Sequence, residues 1–242
     1  RGLGGTVALH DQLLSEAVDY VGKVLSRLPN FLATRQTTHF EDTPSHQSFE
    51  PIAATSSGRG GSRSMGMAGM TVTETEYQPL HMMGVYSAVV QYRDGAEVSD
   101  PRGMSSKERD QEAAGLTTSG EFGPILYVVL KDGLSGNIVW GHWEQGAGEH
   151  LAVFHYSVPQ ADSHYMVQLR RAKGVQQVFP AYHGDVAIDP SNGTILRLTV
   201  VSELKPPYQG ASANIVVEYA PVPIGDRTYI CPVRGVALSR MP

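Results

Sequence analysis

The sequence is short of several things that usually announce a function. Its 242 residues contain one cysteine, Cys231. One cysteine excludes an internal disulfide framework and any zinc site built from several thiolates. Charged residues make up only 18% of the chain, and the net charge is −5. Non-specific nucleic-acid binding needs clustered positive charge to displace counterions, so that class is disfavoured. No run is long and apolar enough to span a bilayer, and no transmembrane segment is expected. The catalytic signatures are missing too: no G-x-S-x-G elbow, no Walker loop, no G-x-G-x-x-G and no H-E-x-x-H. The Gly58–Ser62 run, GRGGS, has neither a strand before it nor a helix after it, so it is not a phosphate cradle. We therefore expect no enzyme, no metal and no cofactor.

What is present is enough to fold. Apolar residues supply 41% of the chain. That argues against global disorder and suits one domain over residues 1–242. The chain begins at Arg1 without a charged-then-apolar leader and reads as a mature or trimmed product, which suggests export.

From His10 to Leu28 the apolar positions Leu13, Leu14, Ala17, Val18, Val21, Val24, Leu25 and Leu28 share one helical face. Pro29 stops that helix, because it cannot continue the hydrogen-bond ladder. Phe31–Phe40 reads as a first strand. Residues 43–70 change character: Gly, Ser and Met without periodicity, expected to be a flexible insertion. Met65, Met67 and Met70 offer a soft binding patch there, although plain disorder accounts for the composition as well. Strand signal returns at 71–77 and 84–92. Residues 100–115 are polar, a loop with a helical turn. Ser119–Lys131 is ambiguous; we favour a helix capped by Ser119, burying Phe122, Ile125, Leu126, Val129 and Leu130, and stopped by Gly133. After Asn137 the pattern is strands only: 137–145, 149–158, 164–171, 175–188, 194–204, 213–220 and 227–238. Gly, Pro and Asp turns separate them, an antiparallel meander.

Two hairpins carry the most information. With a loop at Ser191-Asn192-Gly193 and Gly193 in the left-handed conformation, Pro190 faces Thr194, Ile188 faces Leu196 and Val186 faces Leu198. That hairpin is apolar on one face, with Asp185, Ala187, Arg197 and Thr199 on the other. With a loop at Gly146-Ala147-Gly148, Trp140 faces Phe154, Ile138 faces Tyr156, Trp143 faces Leu151 and Gly141 lies against Val153. That pair is apolar on both faces, so both should be covered. A filled core would do it, and so would a cavity for an apolar ligand. Trp140, Trp143, Leu151, Val153, Phe154 and Tyr156 are the candidate lining residues.

Nine histidines raise the question of metal. Trp140, His142 and Glu144 alternate on one strand face, and so do His183 and Asp185, but no three ligands converge by spacing. Cys231 sits in an apolar strand as a small hydrophobe. Asn192-Gly193-Thr194 matches a glycosylation sequon, but the turn explains it better.

Several motifs stand in a recognisable order. A helix runs through Leu28-Pro29-Asn30-Phe31 into a strand. Thr118-Ser119-Gly120-Glu121-Phe122-Gly123 follows, then Trp140 and Val153-Phe154-His155-Tyr156. Tyr182-His183-Gly184-Asp185-Val186-Ala187-Ile188-Asp189-Pro190 leads to Leu196-Arg197-Leu198. Val217-Glu218-Tyr219, Ile224-Gly225-Asp226 and Pro232-Val233 close the chain. This set resembles a group of exported bacterial proteins whose hairpin, G-x-(I/V)-x-(I/V)-D-x-x-(T/N)-G, is similar to that of the outer-membrane lipoprotein carrier and sorting superfamily. The resemblance covers about residues 8–40 and 117–240. It implies an α+β fold: a strongly curved antiparallel sheet, an incomplete barrel, with the N-terminal helix and a second short helix packed on its concave, open side. It implies a periplasmic or extracellular protein, with lipid or lipoprotein acyl chains in the concavity. It transfers no catalytic residue. The other function expected is a structural module of the envelope with a filled core and a protein partner at its sheet edges or at the 43–70 insertion.

Overall fold

The computed structural model of the chain describes residues 3–25, 28–43, 46–51, 65–67, 70–75, 77–93, 96–99, 124–135, 137–146, 150–171, 174–206 and 210–240. The expected loop at 100–115, the capping Ser119, Phe122 and the 52–64 part of the insertion lie outside them.

Among the described residues, two α-helices and fourteen strands make the fold α+β. In chain order they are α1 (Leu3–Leu25), β1 (Phe31–Thr43), β2 (His46–Pro51), β3 (Met65–Met67), β4 (Met70–Thr75), β5 (Gln78–Arg93), β6 (Ala96–Ser99), α2 (Pro124–Ser135), β7 (Asn137–Gln145), β8 (His150–Val158), β9 (Val167–Arg171), β10 (Gly174–Val178), β11 (Tyr182–Ile188), β12 (Ile195–Glu203), β13 (Ser212–Ile224) and β14 (Arg227–Arg240). The chain divides into two compact units, one of residues Arg1–Thr34 and Ala88–Pro242, the other of Arg35–Ser87, with the divisions falling inside β1 and β5. The smaller unit holds the three-stranded sheet β2-β4-β3. Residues 46–51 and 65–67 of the supposed loop thus pair with β4, Phe49 opposite Val72 and Met67 opposite Met70. Backbone pairing there does not need the periodicity the sequence lacks.

The larger unit is organised by a six-stranded sheet, β14-β13-β12-β11-β8-β7, antiparallel throughout. It is open, with β7 and β14 at its edges. The meander is interrupted: β8 passes to β11, and the chain between them forms a separate hairpin, β9–β10. The single strand expected at 175–188 is therefore two, parted at Phe179-Pro180-Ala181 because Pro180 has no N–H to give a ladder.

Both helices cover one face of this sheet. Leu13, Ala17 and Val21 of α1 and Ile125, Leu126, Val129 and Leu130 of α2 join Phe154, Tyr156, Val186, Ile188, Leu198 and Val217 in one core. The i, i+4, i+8 spacing of the α1 residues is the one its sequence period gives. α2 does not stop at Gly133 but runs two residues further. Gly133 has a different use. A Cβ there would lie 2.8 Å from Ile138 Cδ1, so the missing side chain is what lets β7 close on α2. Gly193 does sit in the left-handed region, at φ 73°, and its turn abuts the α1 backbone at Glu16.

Two bulges change the hairpin registers. Ile188 pairs with Ile195, not Leu196, and Leu196 is the extra residue. Trp143 pairs with Ala152 and Glu144 with Leu151, because Gly141 is extra between Trp140 and His142. Trp140 opposite Phe154, Ile138 opposite Tyr156 and Val186 opposite Leu198 are as expected.

Candidate functional site

An extra residue in one strand reverses which face the following side chains take. On β7 the bulge separates what strict alternation grouped. Trp140 packs against the helix-covered core, while His142 pairs with the outward-facing Val153 and Glu144 lies on the same outer face. Trp143 returns towards Trp140 and meets its ring edge-on at 5.0 Å. Trp140 also stacks on His10 of α1 at 3.8 Å and meets Phe154 edge-on.

The six candidate lining residues are accordingly not one surface. Trp140, Phe154 and Tyr156 belong to the main core; Leu151 and Val153 form a small second cluster with Ala187 and Leu196 on the opposite face; Trp143 is exposed. Phe154 and Tyr156 are 2% and 3% exposed, held against α1 and α2 side chains.

The outer face is where polar chemistry gathers. Glu144 of β7 and Arg197 of β12 form a bidentate pair, Nη1 to Oε1 at 2.8 Å and Nη2 to Oε2 at 2.6 Å. β8 and β11 lie between those two strands, so the pair bridges three inter-strand gaps, about 14 Å at the usual spacing. It lies on the same outer face as the second cluster, the face that neither α1 nor α2 covers. Both groups gain from the contact. The hydrogen bonds to Arg197 hold the Glu144 carboxyl below its ordinary value against the opposing pull of burial, and those to Glu144 raise Arg197.

Beside this strap, His155 Nδ1 meets Asp185 Oδ1 at 2.5 Å from the neighbouring strand. Asp185 is fixed in turn: its backbone N–H donates to Thr199 Oγ1 at 2.7 Å. The Thr199 carbonyl accepts the Tyr156 hydroxyl at 2.6 Å from the other face. That hydroxyl passes where Gly184 has no side chain; a Cβ on Gly184 would collide with the Thr199 carbonyl oxygen. The ring of His142 stands 5.7 Å from that of His155. Among the described residues no three His, Cys, Asp or Glu side chains make a metal-holding group.

A second polar node is buried. Asp132 of α2, 1% exposed, accepts from the His164 backbone N–H at 2.8 Å, from His164 Nδ1 at 2.7 Å and from the Tyr182 hydroxyl at 2.8 Å. Burial first, then the bond to Asp132, pushes the Tyr182 phenol far up. Tyr182 also lines a cleft of about 560 Å³ with Asn137, Ser157, Pro159, His183 and Lys205. Through the two bonds from His164 the node ties the 163–166 segment to α2.

Neither the Asp132 node nor the Arg197–Glu144 strap follows from sequence spacing, since their members are 32, 50 and 53 residues apart. One signal was available: a glycine inside a strand pattern, Gly141, marks a bulge. Among the described residues no helix is long and apolar enough to cross a membrane. Comparison with protein-family models, with curated proteins and with solved structures gives no match to this chain.

Proposed function

We propose that the chain is a non-enzymatic interaction module, of the cell envelope as its motif resemblance implies, that binds a protein partner at its sheet edges. The observation that carries this is the packed inner face. Of the residues that would hold acyl chains, Trp140, Phe154 and Tyr156 are packed with α1 and α2 side chains, so ligand entry on that face would need the helices to leave. Burying apolar ligand surface gains about 25 cal/mol per Å², and displacing the helices gives up gains of the same kind.

The edges offer a different surface. Among the described residues β14 has β13 as its one neighbour, leaving a row of backbone groups for a further strand. Val233, Val236 and Leu238 are exposed along it. Its charged residues are Arg227 and Arg240, with Arg234 paired to Glu218 of β13, a positive balance that favours an acidic extended partner.

Native mass spectrometry before and after incubation with phospholipid and fatty acid tests the choice. The apo mass is expected in both. A stoichiometric acylated adduct would reverse the proposal in favour of an acyl-chain carrier. A photo-crosslinking residue at Leu238 is expected to give a discrete protein adduct in the source cells, while the same probe at exposed Tyr127 of α2 gives none.

A further inference from the structure

The outer face brings together two imidazoles, one of which, that of His155, is oriented by Asp185. We propose that His142 and His155 form a two-histidine site for a divalent transition metal such as Zn²⁺, Ni²⁺ or Cu²⁺, with Asp185 as the positioning residue.

Three observations carry it. The first is spacing. A metal–nitrogen bond is about 2.0–2.1 Å and the ring centre lies about 1 Å further back, so two imidazoles on one tetrahedral metal have centres roughly 5–6 Å apart. The ring centres of His142 and His155 are 5.7 Å apart. The second is the carboxylate behind the ring. Metal-binding histidines commonly donate their other ring N–H to a carboxylate, which fixes the tautomer and strengthens the ligand. His155 has that arrangement: Nδ1 is engaged by Asp185, leaving Nε2 as the ligating atom. Asp185 is itself held by Thr199 and by its place in β11, so the orientation does not depend on His155 alone.

The third is the bulge. Gly141 is the extra residue of β7, and it moves His142 from the face of Trp140 to the face of His155. It also makes room: a Cβ at 141 would stand 2.5 Å from Nε2 and 2.7 Å from Cδ2 of His155. One residue therefore both re-aims the first imidazole and admits the second. Glu144, the nearest acid along β7, has both oxygens on Arg197 and does not serve as a ligand. Two nitrogens and water complete the proposed coordination, and imidazole ligands suit zinc, copper and nickel over magnesium or calcium.

The test is titration of untagged protein with Zn²⁺ and Ni²⁺ at neutral pH, followed by calorimetry and by the histidine ring resonances in NMR. One metal per chain is expected, with the shifts confined to His142 and His155. His142→Gln and His155→Gln should each abolish that binding. Asp185→Asn should weaken it about 10- to 100-fold, and His183→Gln, further along the same face, should leave it unchanged. Both histidines are exposed, so loss of binding with an unchanged melting curve separates ligand loss from unfolding. Binding that survives both histidine variants, or shifts spread over all the histidines, overturns the site.

Discussion

Asp132 shows what one residue can hold. Its carboxylate is buried and accepts three hydrogen bonds, two from His164 and one from Tyr182. Removing one partner from a buried charged network leaves the others unsatisfied, which is more costly than never having had the network. Asp132→Ala is expected to destabilise the fold by about 3 kcal/mol, read by urea unfolding. A loss below about 1 kcal/mol would mean that water replaces the carboxylate and that the node is loose. At the same scale Asp189 does for the β11–β12 turn what the Ser-Asn-Gly loop alone was expected to do. Its carboxylate takes the Ser191 backbone N–H and hydroxyl and the Asn192 amide, while Asn192 Oδ1 takes the Thr194 N–H. Asp189-Pro190-Ser191-Asn192 is turn chemistry of a familiar kind, so the turn was legible. Its length was not, because it depends on which residue the next strand leaves unpaired.

At the scale of elements, periodic signals were legible and phase was not. The α1 stripe Leu13, Ala17 and Val21 is buried as its spacing predicts. So is the α2 stripe Ile125, Leu126, Val129 and Leu130, although its flanking residues are apolar enough to suit a strand. The strands from β7 onward lie near their expected ranges, except that 175–188 holds two strands and not one. What failed was the side each residue takes beyond a bulge. Leu196 was expected on the apolar face with Ile188 and Leu198 and belongs to the outer cluster, and His142 and Glu144 were expected beside Trp140 and are across the sheet from it. A bulge is settled by long-range pairing, which a local pattern does not contain. If α1 is a brace on the core, Leu13→Ala should cost about 2–4 kcal/mol in unfolding free energy, while Leu9→Ala, at an exposed position of the same helix, should cost little. Equal effects of the two would show that α1 does not pack as described.

The whole molecule inherits a pH range from these groups. The Glu144 carboxyl is held below its ordinary 4.5 by Arg197, so its contribution to stability is complete above that value and is lost as the pH falls. Burial pushes the Tyr20 phenol from 10.0 up to about 12, with Thr194 acting against it, and raises Tyr156 and Tyr182 further. Each favours the neutral phenol in the folded state, so stability is complete below pH 10 and lost as the pH rises past it. The melting temperature should therefore fall on the acid side as Glu144 protonates, and fall above about pH 10 as the phenols ionise in the unfolded chain. Glu144→Gln should flatten the acid limb and leave the alkaline one unchanged. An acid limb identical in that variant would remove the Arg197 strap from the account.

The two bulges also bear on where this chain can change its length. Loops are the usual place for that, and a residue lost within a strand normally turns every later side chain to the wrong face. Here a chain shortened by Gly141 keeps Trp140 opposite Phe154 and His142 opposite Val153, and one shortened by Leu196 keeps Ile195 opposite Ile188 and Arg197 opposite Ala187. Gaps of a single residue between this chain and its relatives are to be looked for inside β7 and β12, at positions where ordinary strands forbid them.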